Sequence, residues 1–165
     1  MSRAFALIAL VAGGCGGTGV GPGMAQVTLG TTASDGSGFL ALSGDQPLVP
    51  GAQGGFHVWL KYRLEGMAVG KVHVKRTVRR VSDEALILTT EGVEEVMDMP
   101  FELPRALPSF MCPTPIGVRV MDEAVRFEVT LTSESGAPLG TGSATATPRC
   151  PTDAQGEFCA KICAG

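Results

Sequence analysis

His57 and Trp59 are the residues of this chain whose types and spacing best suit contact with a ligand. They stand two positions apart, so on an extended strand both side chains leave the same face of a sheet. That face lies opposite the apolar stripe of Phe56, Val58, Leu60, Tyr62 and Leu64. Trp59 is the single Trp of the chain, and His57 is one of 2 His. An aromatic held at a surface marks a contact site. The plainer reading is packing, with the Gly-rich run 51–55 laid over the ring, because glycine lets backbone approach closely. Spacing alone leaves both open. Met97 and Met99 form a Met-x-Met pair and, with His57 and His73, offer the soft sulfur and imidazole donors that suit copper(I). Methionine is also ordinary core filler, so no metal ligands are assigned and copper handling stands only as the alternative function. Asp35, Ser37 and Asp45 lack the bidentate Glu of a calcium loop. No nucleophile elbow, HExxH or phosphate loop is present. Gly14, Gly16 and Gly19 spell GxGxxG but have no strand before them and no helix after. Glu94 and Glu95 are adjacent, so on a strand they face opposite sides and share no bond. The expectation is a protein that is not an enzyme and carries no cofactor.

The cysteines promise a different chemistry. Of the 5 Cys, Cys15 stands alone near the start, and Cys112, Cys150, Cys159 and Cys163 make an even set. An even set in an exported chain reads as disulfides, and four Cys permit three connectivities. If residues 116–121, 125–132 and 139–147 run up, down and up, Cys112 and Cys150 lie at opposite sheet ends. Bridged Cα atoms must come within about 7 Å. Cys112 is therefore expected to pair with Cys159 or Cys163, and Cys150 with the other. Each bridge adds about 2–4 kcal/mol. Zinc is the weaker reading, since no CxxC pair occurs.

A period-2 alternation over residues 54–64 defines the strand that must carry His57 and Trp59. The totals agree with a β protein: 23 Gly, 11 Pro and 18% charged residues suit short strands and tight turns, not helices. A net charge of -3 gives no reason to expect a nucleic-acid partner. Strands are expected at 26–32, 39–42, 54–64, 69–81, 86–90, 116–121, 125–132 and 139–147, with turns at 35–38 and 44–50. Arg76 interrupts the apolar face of Val72, Val74 and Val78, which predicts a bulge near it. The basic face of Lys71, His73, Lys75 and Arg79 precedes an acidic segment, 91–98, and predicts cross-strand ion pairs on a wet face. Residues 99–115 hold Pro100, Pro104, Pro108, Pro113 and Pro115 and read as an irregular crossover.

Arg3 followed by the apolar run 4–12 and small residues reads as a signal peptide over 1–14. Val11, Ala12, Gly13, Gly14 and Cys15 then resemble a bacterial lipobox, with Ala12 where that family most often has Leu. The resemblance implies that Cys15 is lipidated and becomes the mature N-terminus, with more than one acyl chain for stable anchoring. Gly16 after it resembles an outer-membrane sorting signal. Ordinary cleavage after Ala25, using Gly23 and Ala25, is the rival. Residues 15–24 would be the lipidated Cys and a Gly-rich flexible tether.

Gly51, Gln53, Gly54, Gly55, Phe56, His57, Val58 and Trp59 resemble a motif of bacterial secreted proteins and lipoproteins that carry an immunoglobulin-like domain. That family has no assigned activity, so the resemblance implies a fold only. The expectation is thus an antiparallel, immunoglobulin-like β-sandwich of about seven or eight strands over 25–149, with a Cys-rich tail, 150–165, packed on it. The function expected is that of a cell-envelope lipoprotein, a non-catalytic binding or structural module. Its partners would be the membrane, through the N-terminal lipid, and an envelope protein or polysaccharide.

Overall fold

The computed structural model describes residues 24–33 and 36–165. The signal peptide expected at 1–14, Cys15 and all of the tether but its last residue lie outside the described residues.

The chain is all-β with one short helix among the described residues. Its strands are β1 (Gln26–Thr31), β2 (Leu40–Ala41), β3 (Gly44–Pro47), β4 (Val49–Pro50), β5 (Phe56–Glu65) and β6 (Gly70–Arg80), then β7 (Leu86–Val96), β8 (Phe101–Glu102), β9 (Leu107–Cys112), β10 (Val125–Ser133) and β11 (Pro138–Arg149); α1 (Gly156–Ile162) follows. They form two sheets. One is centred on β5, the other runs β3-β11-β10-β6-β7. The alternation read from the sequence holds in the two best strands. Phe56, Val58, Leu60, Tyr62 and Leu64 of β5 and Val125, Phe127, Val129 and Leu131 of β10 are all buried. Side chains from both sheets form a single core cluster. Burying them at about 25 cal/mol per Å² is the main force that holds the sheets together.

β5 has a different neighbour along each half of each edge. On one edge it pairs with β8 through Arg63 and Leu64 and with β9 from Phe56 to Leu60. On the other it pairs with β1 from Lys61 to Glu65 and with β4 at Phe56 and His57. Neither β1 nor β4 is registered against Val58, Trp59 or Leu60, so this edge is split at the middle of the strand. The other sheet approaches β1 closely. A Cβ on Gly140 of β11 would lie 2.6 Å from the Ala25 carbonyl oxygen, and one on Gly142 would lie 2.8 Å from Val27 Cβ. Glycine at these two positions is therefore required by close approach.

Several expectations change. There are more strands than seven or eight, and the sheets are not purely antiparallel, because β3 pairs in parallel with β11. Residues 44–50 are not a turn but two edge strands that pass from one sheet to the other; β3 pairs with the distant β11 and β4 is only two residues long, so neither left a periodic trace. Residues 86–96 are one strand, not a strand and an acidic segment. Only one of the expected ion pairs forms between β6 and β7, Lys75–Glu91 at 3.2 Å. Arg76 itself sits in continuous register with Val129 of β10, and the register shift comes two residues later, at Val78/Arg79. Pro108 does not break β9, which lies at the edge of its sheet and has no strand to donate to on the far side. Residues 116–121 are turns rather than a strand: Gly117 takes a φ of 79° and Ile116 is fully exposed.

The tail is stapled. Disulfides join Cys112 to Cys163 and Cys150 to Cys159, with Cα–Cα distances of 5.1 and 5.7 Å. The pairing is within the expected set, but its premise changes. With no strand at 116–121, Cys112 and Cys150 are not held at opposite ends, and the two bridges lie side by side. Cys159 and Cys163 are one helical turn apart, and their spacing was the available sign of α1 in a tail read without an element.

Candidate functional site

The outward face of β5 holds His57, Trp59, Lys61 and Arg63, and each meets a different fate. His57 is closed off: it is 5% exposed, and its ring lies 4.3 Å from that of Trp59 and 5.8 Å from that of Phe110, both edge-on. The loop 51–55 lies beside it, with Gly51 against Nδ1. Among the described residues neither ring nitrogen has a hydrogen-bond partner. Burial pushes the imidazole below its ordinary range, which keeps it neutral at neutral pH. A His enclosed by Trp59 and Phe110 is a packing residue that props the indole.

Trp59 is the open member of the pair. It is half-buried and forms part of the wall of a groove of about 640 Å³. Arg105 and Pro104, from the segment between β8 and β9, stand on one side. Thr31 of β1, Gln46 of β3 and Val49 of β4 stand on the other, at the split in the β5 edge. Pocket walls that are mostly apolar with a few polar groups are the usual form of a small-molecule or side-chain site. Arg105 forms no ion pair among the described residues, whereas the neighbouring cations share the carboxylate of Glu102. Lys61, with a side chain 7% exposed, contacts Glu102 at 2.5 Å and donates to the Gly38 carbonyl oxygen at 3.2 Å. Arg63 reaches the other oxygen of Glu102 at 2.7 Å and lies over the Phe39 ring at 4.0 Å. These two donors hold the Glu102 carboxyl below its ordinary range.

The structure thus brings His57 and Trp59 together, as their spacing required, and gives them unequal roles. The groove residues Thr31, Gln46, Val49 and Arg105 went unseen in the sequence. Three of them sit on short edge strands or in a proline-rich connection, where no periodicity marks a wall. Met97 is exposed beyond the end of β7 and His57 is enclosed, so the donors considered for copper are not presented as one open cluster. The cysteines Cys150, Cys159 and Cys163 are the one group of three or more His, Cys, Asp or Glu among the described residues that stands close enough to hold a metal. No protein-family model matches the chain, and no curated protein matches it.

Proposed function

We propose that this chain is an exported, lipid-anchored module of the bacterial cell envelope that binds a partner without catalysis. The observation that carries the reading is the groove at Trp59, which an indole and a guanidinium with no ion pair among the described residues line together, beside a stretch of strand edge registered to neither β1 nor β4. An indole and an Arg suit stacking on a sugar ring or a planar side chain, and the partner is an envelope protein or polysaccharide. The anchor is Cys15, placed by its lipobox-like context after an apolar run. Two features support an immunoglobulin-like domain: the two sheets share one core, and the segment 44–50 changes sheets at the edge. The Gly51–Trp59 motif supports kinship with the bacterial secreted and lipoprotein family it resembles.

The test uses the full chain in a bacterial host. It is grown with an alkynyl fatty acid, with a photo-crosslinking residue placed at Arg105 or, for comparison, at Val93. The expected result is a fatty-acid label in the membrane fraction that Cys15→Ser abolishes, and an adduct from position 105 but not 93. A single discrete mass shift would mark a protein partner and a ladder a polysaccharide. An unlabelled soluble chain would contradict the anchor, and no adduct at 105 would contradict the groove.

A further inference from the structure

We propose that, once both bridges are reduced, Cys112, Cys150, Cys159 and Cys163 form a tetrathiolate site for one zinc ion. This goes beyond the envelope-binding reading and does not depend on it. The first ground is distance. The sulfurs of Cys150, Cys159 and Cys163 lie within 4.8 Å of one another, and Cys112 is bonded to the last of them. Zinc–sulfur bonds of about 2.3 Å set the edges of a tetrahedron at about 3.8 Å. Cys159 and Cys163, which belong to different bridges, already stand 3.7 Å apart. To reach that tetrahedron the sulfurs now bonded to each other must separate, and Cys112, which is not within 4.8 Å of all three others, must close on them.

The second ground is that the ligands are held by more than the bridges. Cys112 ends β9 and is registered opposite Phe56 of β5. Cys150 follows β11, which pairs with both β10 and β3. The helix α1 rests Phe158 near the Phe56 ring, at 6.1 Å, and the Cys163 carbonyl oxygen accepts a hydrogen bond from the Val120 amide at 3.3 Å. Cys112, Cys159 and Cys163 are buried and Cys150 is half-buried, so a metal there would be largely screened from water. Four thiolates with no oxygen or nitrogen donor suit zinc in a closed structural site.

The chemistry balances as follows. Each disulfide takes up two electrons and two protons and becomes two thiols: a dithiol supplies both as it closes to its own disulfide, whereas a phosphine supplies the electrons and is oxidised to its oxide by water, which supplies the protons. The four thiols release four protons as they bind one Zn²⁺, leaving a doubly negative centre. Two equivalents of a disulfide oxidant reverse the sequence: each takes up two electrons, and two protons from solvent, to become thiols, both bridges reform and the ion is expelled.

The experiment uses the full chain with Cys15→Ser, so that no fifth thiol competes. It is reduced with a phosphine under argon and titrated with Co²⁺, then with Zn²⁺. The expected result is uptake of one Co²⁺ per chain, with strong sulfur-to-cobalt charge transfer and the visible bands of tetrahedral geometry, both lost on adding Zn²⁺. The near-ultraviolet circular dichroism of Trp59 and Tyr62 should match that of the oxidised chain. Cys150→Ser, added to the same background, should weaken the charge-transfer band. An octahedral Co²⁺ spectrum, a ratio other than one, or a spectrum unchanged by Cys150→Ser would overturn the proposal. So would a reduced chain that unfolds and does not recover its near-ultraviolet signal with metal.

Discussion

The outward faces of β5 and β6 start from the same alternation and end differently. On β6, Lys71, His73 and Lys75 remain exposed beside the edge strand β7. On β5, His57 and Lys61 are buried and Trp59 is half-buried. A period of two fixes which side chains share a face, but what covers that face is decided by the rest of the chain. Here the cover over β5 comes from the loop 51–55, from Phe110 and from the segment between β8 and β9. β6 has no comparable cover among the described residues. Both faces carry a groove, but the one on the covered face is walled by the indole of Trp59, whereas the one on the bare face, about 580 Å³, lies among the exposed His73, Lys75 and Glu91.

The contrast is broken most sharply at Glu102. Glu102→Ala leaves the nearly buried ammonium of Lys61 without its carboxylate. We expect a loss of about 3 kcal/mol in denaturant unfolding, and a loss no larger than that of an exposed pair would erase the difference between the faces. Trp59→Ala follows, at about 2 kcal/mol, because a half-buried indole loses part of the cost of a fully buried one; it should also abolish the adduct at position 105. Next comes pH. The His57 imidazole is held below its unfolded value of 6.5. The unfolded chain therefore binds more protons, and stability falls as the pH drops through 6.5. His57→Phe should flatten that slope between about pH 7 and about pH 5, measured as the thermal midpoint at each pH. The carboxyls of Asp83, Glu84 and Glu102, held low by their Arg and Lys partners, lose their contribution only in a more acidic window, below their ordinary values. Smallest of all is Lys75→Ala on β6. Its partner Glu91 is exposed, and the change should cost about 0.5 kcal/mol or less.

The same comparison shows what could be read in advance. β5, β6 and β10 were legible because buried residues recur at alternate positions along strands of nine or more residues, with one break at Arg76 in β6. The short edge strands β3, β4, β8 and β9 were not: β3, β8 and β9 depend on partners distant in sequence, β4 and β8 are two residues long, and the Gly and Pro of β3, β4 and β9 look like turn residues. Residues 116–121 show the opposite error: Ile116, Val118 and Val120 alternate, yet only Val120 is buried. An alternation that short is produced by turns as readily as by a strand. The interior carries one more surprise. Arg76 lies on the inward face of β6 with Nη1 buried and unpartnered among the described residues. Burial lowers its pKa against the opposing pull of Tyr62 and Glu94, and the phenol of Tyr62 is pushed up by the same burial and by Glu94. The break in the apolar pattern was visible, and the irregularity in pairing comes two residues later, at Val78/Arg79 against β7. Arg76 itself stays in register, with Glu94 acting on its charge.

Trp59 offers the most direct test, because it is the single Trp of the chain and no substitution is needed to watch it. Its fluorescence emission and its quenching by acrylamide should be compared with those of a Trp placed at Val93 in a Trp59→Phe background. The expected result is a blue-shifted emission for Trp59 and several-fold weaker quenching than at position 93. Equal emission and equal quenching at the two positions would contradict the covered face, and with it the groove on which the binding reading rests.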